Sequence, residues 1–381
     1  MQKKYKENHL EKYATKSSDS KGRIYTEKSD KIRTPYQRDR DRIIHSSSFR
    51  RLKHKTQVFV NTIGDHYRTR LTHSMEVSQI SRTIARCLGL NEDLCETLSL
   101  AHDLGHTPFG HAGEEILNNC MYNNDGFDHN LQTLRIITLL ENKYYNFLGL
   151  NLTIETLDGL IKHNGPLKNT YNFEKILNIN SFKKKIIFNQ FPSLEAQVAS
   201  ISDDIAYNNH DLEDGLRANL FSLESLSSIP FISKIIKKNI KNKRKHRREV
   251  LVNHVVRKLI SKMVMDVIST TTRKLKIIKP NNLKEIYLQN LLIVDFSTQM
   301  KKADVEIKDF LKRNMYNNKK VTINTNKCKI IIKDLFNYLN RKPKIFIDKE
   351  ILKNESKERA VADFIAGMTD RYAINLHKKI K

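Results

Sequence analysis

The chain has 381 residues with 39% hydrophobic side chains, enough to bury a sizeable core, and it reads as a soluble globular protein. Lys and Arg outnumber Asp and Glu 68 to 42, for a formal net charge of +26. That excess suits an anionic partner (nucleotide, nucleic acid or membrane surface), although a Lys-, Asn- and Ile-rich composition throughout accounts for much of it.

With 12 Gly, 7 Pro, no Trp and few alternating runs, the predicted fold is all-α, mostly helical. No apolar run approaches the ~18 residues of a membrane span, and the polar start Met1-Gln2-Lys3-Lys4 is no secretory leader. Cys87, Cys95, Cys120 and Cys328 form no CxxC pair, so neither a disulfide frame nor a zinc site is expected. A cytoplasmic protein without membrane contact is the expectation.

Residues 1–40 form a basic N-terminal extension. Its stretch Thr15 through Arg23 is expected to be mobile, and Arg33 through Arg42, alternating in charge, to pack on the body. Arg51, Lys53, Lys55 and Gln57 follow, either as donors for phosphate and sugar oxygens or as an exposed basic loop. A helix opens near Arg70, with Thr72 or Ser74 as cap and Val77, Ile80, Ile84 and Leu88 on one stripe; Gly89 ends it. Asn91 caps the next, which carries Leu94 and Leu98 inward and ends in His102-Asp103. Further helices are predicted over Glu114–Tyr122, Phe127–Leu140 and Thr153–His163, then a polar connection over 166–192.

A long helix over Ser193–Leu212 sets Leu194, Val198, Ile201 and Ile205 on one side. Asp203 lies beside that stripe and must be paired or metal-bound, because a buried bare charge costs several kcal/mol. From Lys234 to Arg248 runs a basic stretch that either touches single-stranded nucleic acid or a regulatory phosphate, or is a solvated face. Val250–Ile268 is predicted helical. Leu291-Leu292-Ile293-Val294 and Lys329-Ile330-Ile331-Ile332 leave room for a small β element in the C-terminal part, and Ala360–Ile380 is again helical. The chain divides at about 41–220, a catalytic core, and 221–381, a C-terminal helical region.

His73, His102-Asp103 and Asp203 come from three separate helices. Two imidazoles and two carboxylates suit a divalent cation and leave positions open for water and a substrate oxygen, the arrangement of metal-assisted hydrolysis. His106, His111, Glu114 and His129 stand around them, more titratable groups than packing needs.

In these residues the chain resembles the HD-domain phosphohydrolases. The segments Phe49-Arg50-Arg51-Leu52, Lys55-Thr56-Gln57-Val58-Phe59, Arg70-Leu71-Thr72-His73-Ser74, His102-Asp103-Leu104-Gly105-His106-Thr107-Pro108-Phe109-Gly110-His111 and Asp203-Asp204-Ile205-Ala206-Tyr207 narrow this to the deoxynucleoside triphosphate (dNTP) triphosphohydrolases, in their bacterial dGTPase-like branch. The tail Asp363-Phe364-Ile365-Ala366-Gly367-Met368-Thr369-Asp370-Arg371-Tyr372 is similar too. The resemblance implies a helical HD fold and conversion of dNTP and water to deoxynucleoside and triphosphate.

It also implies roles. His73, His102, Asp103 and Asp203 fall on the metal ligands, with Asp203 preferred to Asp204 because it stands four residues before Tyr207. The ion implied is Mg2+ or Mn2+, with Fe2+, Co2+ and Ni2+ open. Glu114 orients His111, which protonates the leaving 5′ oxygen as an activated water attacks the α-phosphorus; His129 stands near the phosphates. Arg70 holds the α-phosphate and His106 joins the substrate-binding set. Gln57 reads the sugar 3′-hydroxyl, Val58 and Tyr207 reject a 2′-hydroxyl, and Asp211 and Tyr372 line the sugar pocket. Where some relatives place a basic residue after the ligand aspartate this chain has Asp204, so Arg51, Lys53 or Lys162 is expected to meet the triphosphate charge. A homo-oligomer (tetramer or hexamer) and a dNTP effector are further implications. Two other readings stay open: an HD phosphodiesterase or 5′-nucleotidase, and a nucleic-acid-binding protein with a secondary HD site.

Overall fold

Side chains cap most of the helices. Thr34, Thr69, Asn91, Asp128, Thr153, Ser193 and Ser297 each accept a backbone N–H at a helix start. The computed structural model describes residues 7–57, 67–177, 185–239 and 247–381. In chain order its helices are α1 (Pro35–Ile44), α2 (Ser47–Arg51), α3 (Arg70–Cys87), α4 (Glu92–Ala101), α5 (His111–Cys120), α6 (His129–Arg135), α7 (Ile154–Ile161), α8 (Tyr171–Ile176), α9 (Leu194–Arg217), α10 (Pro230–Asn239), α11 (Arg248–Ile278), α12 (Leu283–Tyr287), α13 (Thr298–Leu311), α14 (Lys319–Arg341), α15 (Lys349–Asn354), α16 (Lys357–Ala366) and α17 (Asp370–Ile380). No helix among the described residues is long and apolar enough to cross a membrane.

Helix α9 is the axis of the molecule. Its stripe Leu194, Val198, Ile201 and Ile205 packs with Val77, Ile80 and Ile84 of α3 and with Met263 and Val267 of α11. Its opposite side, through Ala196 and Ala199, meets Leu94 and Leu98 of α4 and Leu157 and Leu160 of α7. Such a helix, apolar on two faces, is held at fixed depth, and that depth places the polar residues between the stripes. At the other end of the chain, Ile332, Leu335 and Leu339 of α14, Val361 and Ile365 of α16 and Ala373 and Leu376 of α17 enclose Leu117 of α5 and Phe109 just before it. The C-terminal helices therefore share a core with the segment that follows His102-Asp103.

Two expectations are corrected. Strands are absent among the described residues, which hold only isolated bridges such as Thr56 with Thr69. Lys329-Ile330-Ile331-Ile332 lies inside α14, because Cys328, Ile332, Leu335, Phe336 and Leu339 repeat at helical spacing. Ile293 and Val294 are buried in irregular chain, their N–H groups donating to Gln197 Oε1 at 2.9 and 3.1 Å. The segment 15–23 is anchored where mobility was expected: the N–H and hydroxyl of Thr15 donate to Glu195 at 2.8 and 2.7 Å, after Leu10 and Ala14 have entered the α3–α9 core. The basic stretch after Lys234 is divided. Lys234, Lys237 and Lys238 belong to α10, Arg248 opens α11, and Lys241, Lys243, Arg244 and Lys245 lie outside the described residues.

One buried carboxylate ties the N-terminal region to the core. Asp39 on α1 is fully buried and accepts from Arg23, from the N–H and hydroxyl of Thr153 (2.8 and 2.7 Å) and from the Thr156 hydroxyl (2.8 Å). Asp39→Asn keeps the shape but turns an N–H toward these donors. It is expected to cost about 2 kcal/mol, read as a lower urea midpoint at unchanged slope.

Candidate metal centre and active site

Two helix ends and one helix middle converge on a single point. Thr69 caps α3, so Arg70 begins the helix and His73 sits one turn in, facing the core. His102 and Asp103 continue the chain from the last turn of α4. Asp203 comes from the middle of α9. His73 Nε2 lies 2.8 Å from Asp203 Oδ1, and His102 Nε2 lies 3.6 Å from the same oxygen. The ligand atoms of His73, His102 and Asp203 all fall within 4.8 Å of one another. Asp103 flanks them: its Oδ1 is 3.5 Å from His102 Nε2 and 3.1 Å from His106 Nε2, and its Oδ2 accepts from Arg70 Nη1 at 3.0 Å. His73, His102 and Asp103 are buried, and the Asp203 side chain, 27% exposed, marks the open side.

The donor set fits a divalent cation. The N–H at His102 Nδ1 donates to the Ser99 carbonyl at 2.7 Å, which directs the Nε2 lone pair inward, and that buried Nε2 has no hydrogen-bond partner. An imidazole oriented by its far nitrogen is the arrangement seen behind metal ligands. The charges agree. Burial pulls the His102 imidazole down, but the carboxylates of Asp103 and Asp203 outweigh it and push it up to about 9. Burial raises Asp103 and Asp203, yet Arg70 and His102 for the first, and His102, His163 and His73 for the second, hold both well below the carboxylate range. Positive charge is called for at the centre of the group, and a cation can take the place of the proton.

Beside this centre stands a group organised by Glu114. Its Oε1 accepts from His129 Nδ1 at 2.7 Å and from the His129 N–H at 2.9 Å, and its Oε2 lies 3.4 Å from His111 Nδ1. The sequence pairs Glu114 with His111; the structure makes His129 its tighter partner. The ring of His106 stacks on that of His129 with centroids 4.0 Å apart. Burial, then Arg70 and His129, hold His106 well below the ordinary imidazole value, so it is neutral. Burial also pulls His129 down, but the hydrogen bond and charge of Glu114 raise it above that value. His111, its side chain 65% exposed, is the accessible member.

This packing is possible because of Gly105, where an added Cβ would lie 2.1 Å from the His129 carbonyl oxygen. Its N–H donates to the Thr133 hydroxyl, which in turn donates to the His102 carbonyl, so α6 is locked against the His102-Asp103 turn.

Along α9, Tyr207 and Asp211 follow Asp203 at four-residue steps and so share its face. Asp211 is buried; its Oδ2 accepts from the Tyr316 hydroxyl and its Oδ1 has no partner. Burial pushes Asp211 up to about 7 against the pull of that hydroxyl. The rings of Tyr207 and Tyr316 lie 6.4 Å apart. Gln57 is buried with Oε1 unpartnered, close to the turn before His111: a Cβ on Gly110 would lie 3.5 Å from the Gln57 carbonyl oxygen. Val58 lies outside the described residues. Tyr372 is half exposed on the first turn of α17, and among the described residues its side chain makes no hydrogen bond, ion pair or ring contact.

Several members escaped the sequence reading. His163 ends its helix as His102 does, lies 3.4 Å from Asp203 Oδ2 and stacks on His102 at 5.4 Å. His210, seven residues after Asp203, meets His73 edge-on at 5.8 Å. Tyr316 and Asp370 belong to segments far away in sequence. Two basic residues are committed elsewhere: Lys162, named for the triphosphate, is buried and paired with Asp158 at 2.6 Å, and Lys55, read as a donor for phosphate and sugar oxygens, donates to the carbonyls of His106 and Ala366. Arg51 is partly buried on Ser48, and Lys53 is exposed. Asp204 itself accepts from Lys308 of α13 at 2.9 Å.

Comparison with known proteins finds relatives along most of the chain. Residues 70–208 match the HD domain, and residues 294–379 match the Phosphohydrolase-associated domain. A deoxyguanosinetriphosphate triphosphohydrolase-like protein of Pelagibacter ubique is 57% identical over 363 residues, covering 95% of this chain and 98% of the relative. Proteins of the same description from Bartonella tribocorum and Brucella ovis are 47% and 45% identical, each covering 97% of this chain and 94% of the relative.

Proposed function

Since the chain belongs to the deoxyguanosinetriphosphate triphosphohydrolase-like family of HD-domain phosphohydrolases, we propose that it hydrolyses deoxynucleoside triphosphates at the α-phosphate, releasing deoxynucleoside and inorganic triphosphate. The observation that carries this is the meeting of His73, His102, Asp103 and Asp203 beside the Glu114 group. His73, His102, Asp103 and Asp203 would hold a divalent cation, Mg2+ or Mn2+ foremost. Once bound, it supplies Lewis-acid activation of the phosphoryl group and of the attacking water.

The chain's own residues do the rest. Arg70, held against Asp103, is placed to share charge with the α-phosphate oxygens. His129, whose proton Glu114 helps to hold, adds positive charge at the phosphates when protonated. His111, the exposed imidazole tethered to Glu114, delivers a proton to the departing 5′ oxygen. The unpartnered Gln57 Oε1 and Asp211 Oδ1 are acceptors for a sugar hydroxyl, and the tyrosine pair Tyr207 and Tyr316 crowds the position where a 2′-hydroxyl would stand.

The test is turnover of a panel of dNTPs and NTPs, singly and mixed, with Mg2+ or Mn2+, and with chromatography of the products. Inorganic triphosphate in equal amount to deoxynucleoside is expected, with NTPs cut far more slowly, and Asp103→Ala is expected to stop the reaction. Release of pyrophosphate or monophosphate alone would point instead to a phosphodiesterase or nucleotidase.

A further inference from the structure

Among the contacts between the C-terminal Phosphohydrolase-associated segment and the HD core is one buried carboxylate. Asp370 opens α17 and is 2% exposed. Its Oδ2 accepts from the N–H of Thr56 at 2.8 Å and from the Thr56 hydroxyl; its Oδ1 accepts from the N–H of Phe109 at 3.0 Å. A second tie runs alongside. Lys55, fully buried, donates from Nζ to the carbonyls of His106 and of Ala366, the last residue of α16.

What these ties hold is specific. Thr56 precedes Gln57 and forms an isolated bridge with Thr69, the cap of α3, and the N–H of Arg70 donates to the Lys55 carbonyl at 3.3 Å. The Asp370–Thr56 contact therefore reaches the start of the helix that bears Arg70 and His73. On its other side, Phe109 has φ +64° and Gly110 φ +58°, and His111 follows at once as the first residue of α5. Phenylalanine is rare in the left-handed region, and such a conformation costs about 1–3 kcal/mol unless its surroundings impose it. Asp370 holds the N–H of the very residue in that conformation. Asp370 lines neither the metal centre nor the Glu114 group, so any effect on chemistry passes through Thr56 and Phe109.

We propose that Asp370 is a positioning residue that fixes the Phe109–Gly110 turn aiming His111 and the segment presenting Gln57, which makes the associated segment a working part of the hydrolytic site. This rests on the roles given above to His111 and Gln57. Asp370→Asn keeps the volume but offers one acceptor oxygen where two are used. Two donors of Thr56 compete with one of Phe109 for it, so the Phe109 tie is the one lost.

The test compares Asp370→Asn with Ile286→Ala, a core truncation on α12 away from the site. In folded Asp370→Asn, kcat is expected to fall on the order of 100-fold, the penalty of a misplaced catalytic group, with dNTP KM within about twofold; backbone amides of 105–111 are expected to exchange hydrogen at least about tenfold faster. Ile286→Ala is expected to melt earlier yet keep wild-type kcat, KM and exchange over 105–111. Wild-type kcat in Asp370→Asn, a loss matching only its unfolded fraction, or unchanged exchange would overturn the proposal. Should Asp370→Asn not fold, Thr56→Val removes a single hydroxyl; KM raised several-fold at near-constant kcat supports the Gln57 half, and an unchanged KM overturns it. Should the wild type cleave no dNTP, the proposed activity falls, and the exchange comparison decides the role of Asp370 by itself.

Discussion

Asp203→Ala is expected to abolish both metal retention and turnover. The carboxylate is in reach of three imidazoles: His73 at 2.8 Å, His163 at 3.4 Å and His102 at 3.6 Å. Without it the proposed ligand set keeps two imidazoles and Asp103, whose Oδ2 is engaged by Arg70. A cation contributes several kcal/mol of charge stabilisation to phosphoryl transfer, so its loss corresponds to roughly 10³-fold or more in kcat/KM. The check is metal content of the purified variant by elemental analysis, beside dNTP turnover with added Mn2+. Asp203→Asn, which preserves shape, should lose nearly as much, because the charge is what the centre requires. A variant that retained both metal and turnover would remove Asp203 from the centre and leave the neighbouring Asp204, on its Lys308 partner, to be tested instead.

The sequence made this centre legible because each ligand stands at a punctuation mark. His102-Asp103 ends an apolar stripe at a Gly-Pro break, His73 follows a cap, and Asp203 interrupts a stripe of core residues. Its neighbours carry no such mark. Tyr316 and Asp370 reach their partners Asp211 and Thr56 across 105 and 314 positions, and no periodicity encodes that distance. Charge misled the reading in the opposite direction. Lys55 and Lys162 look like solvated donors in a basic chain, yet tertiary packing buries both, and burial, with Arg51 and Arg70 nearby, pulls the Lys55 ammonium down to about 7. Short apolar runs misled it in a third way: Lys329-Ile330-Ile331-Ile332 seen alone fits strand or helix, and the helical spacing of Cys328, Leu335 and Leu339 around it decides.

Glu114→Gln is expected to lower kcat by about 10²- to 10³-fold and to move the alkaline limb of its pH profile toward acid. The shift follows from the direction of each titration. Burial lowers His129, and Glu114 opposes that most strongly, through a 2.7 Å hydrogen bond and its charge, ahead of the more modest pull of Asp128 and Asp103. The amide removes the charge, so His129 loses its proton at lower pH and stops contributing positive charge at the phosphates sooner. Glu114 itself is raised by burial but held below its ordinary value by His111 and His129, so it stays ionised throughout the working range. The same pair makes a stability prediction with a definite window. A raised imidazole stabilises the fold below its unfolded value of 6.5 and loses that effect as pH climbs through its folded value; a lowered carboxylate stabilises above its unfolded value of 4.5 and loses that effect as pH falls through its folded value. The difference in melting temperature between wild type and Glu114→Gln should therefore be largest between those two values and narrow as pH climbs through the folded value of His129. A limb that stayed in place while kcat fell would mean that Glu114 acts by shaping the turn at His111, not by holding a proton on His129.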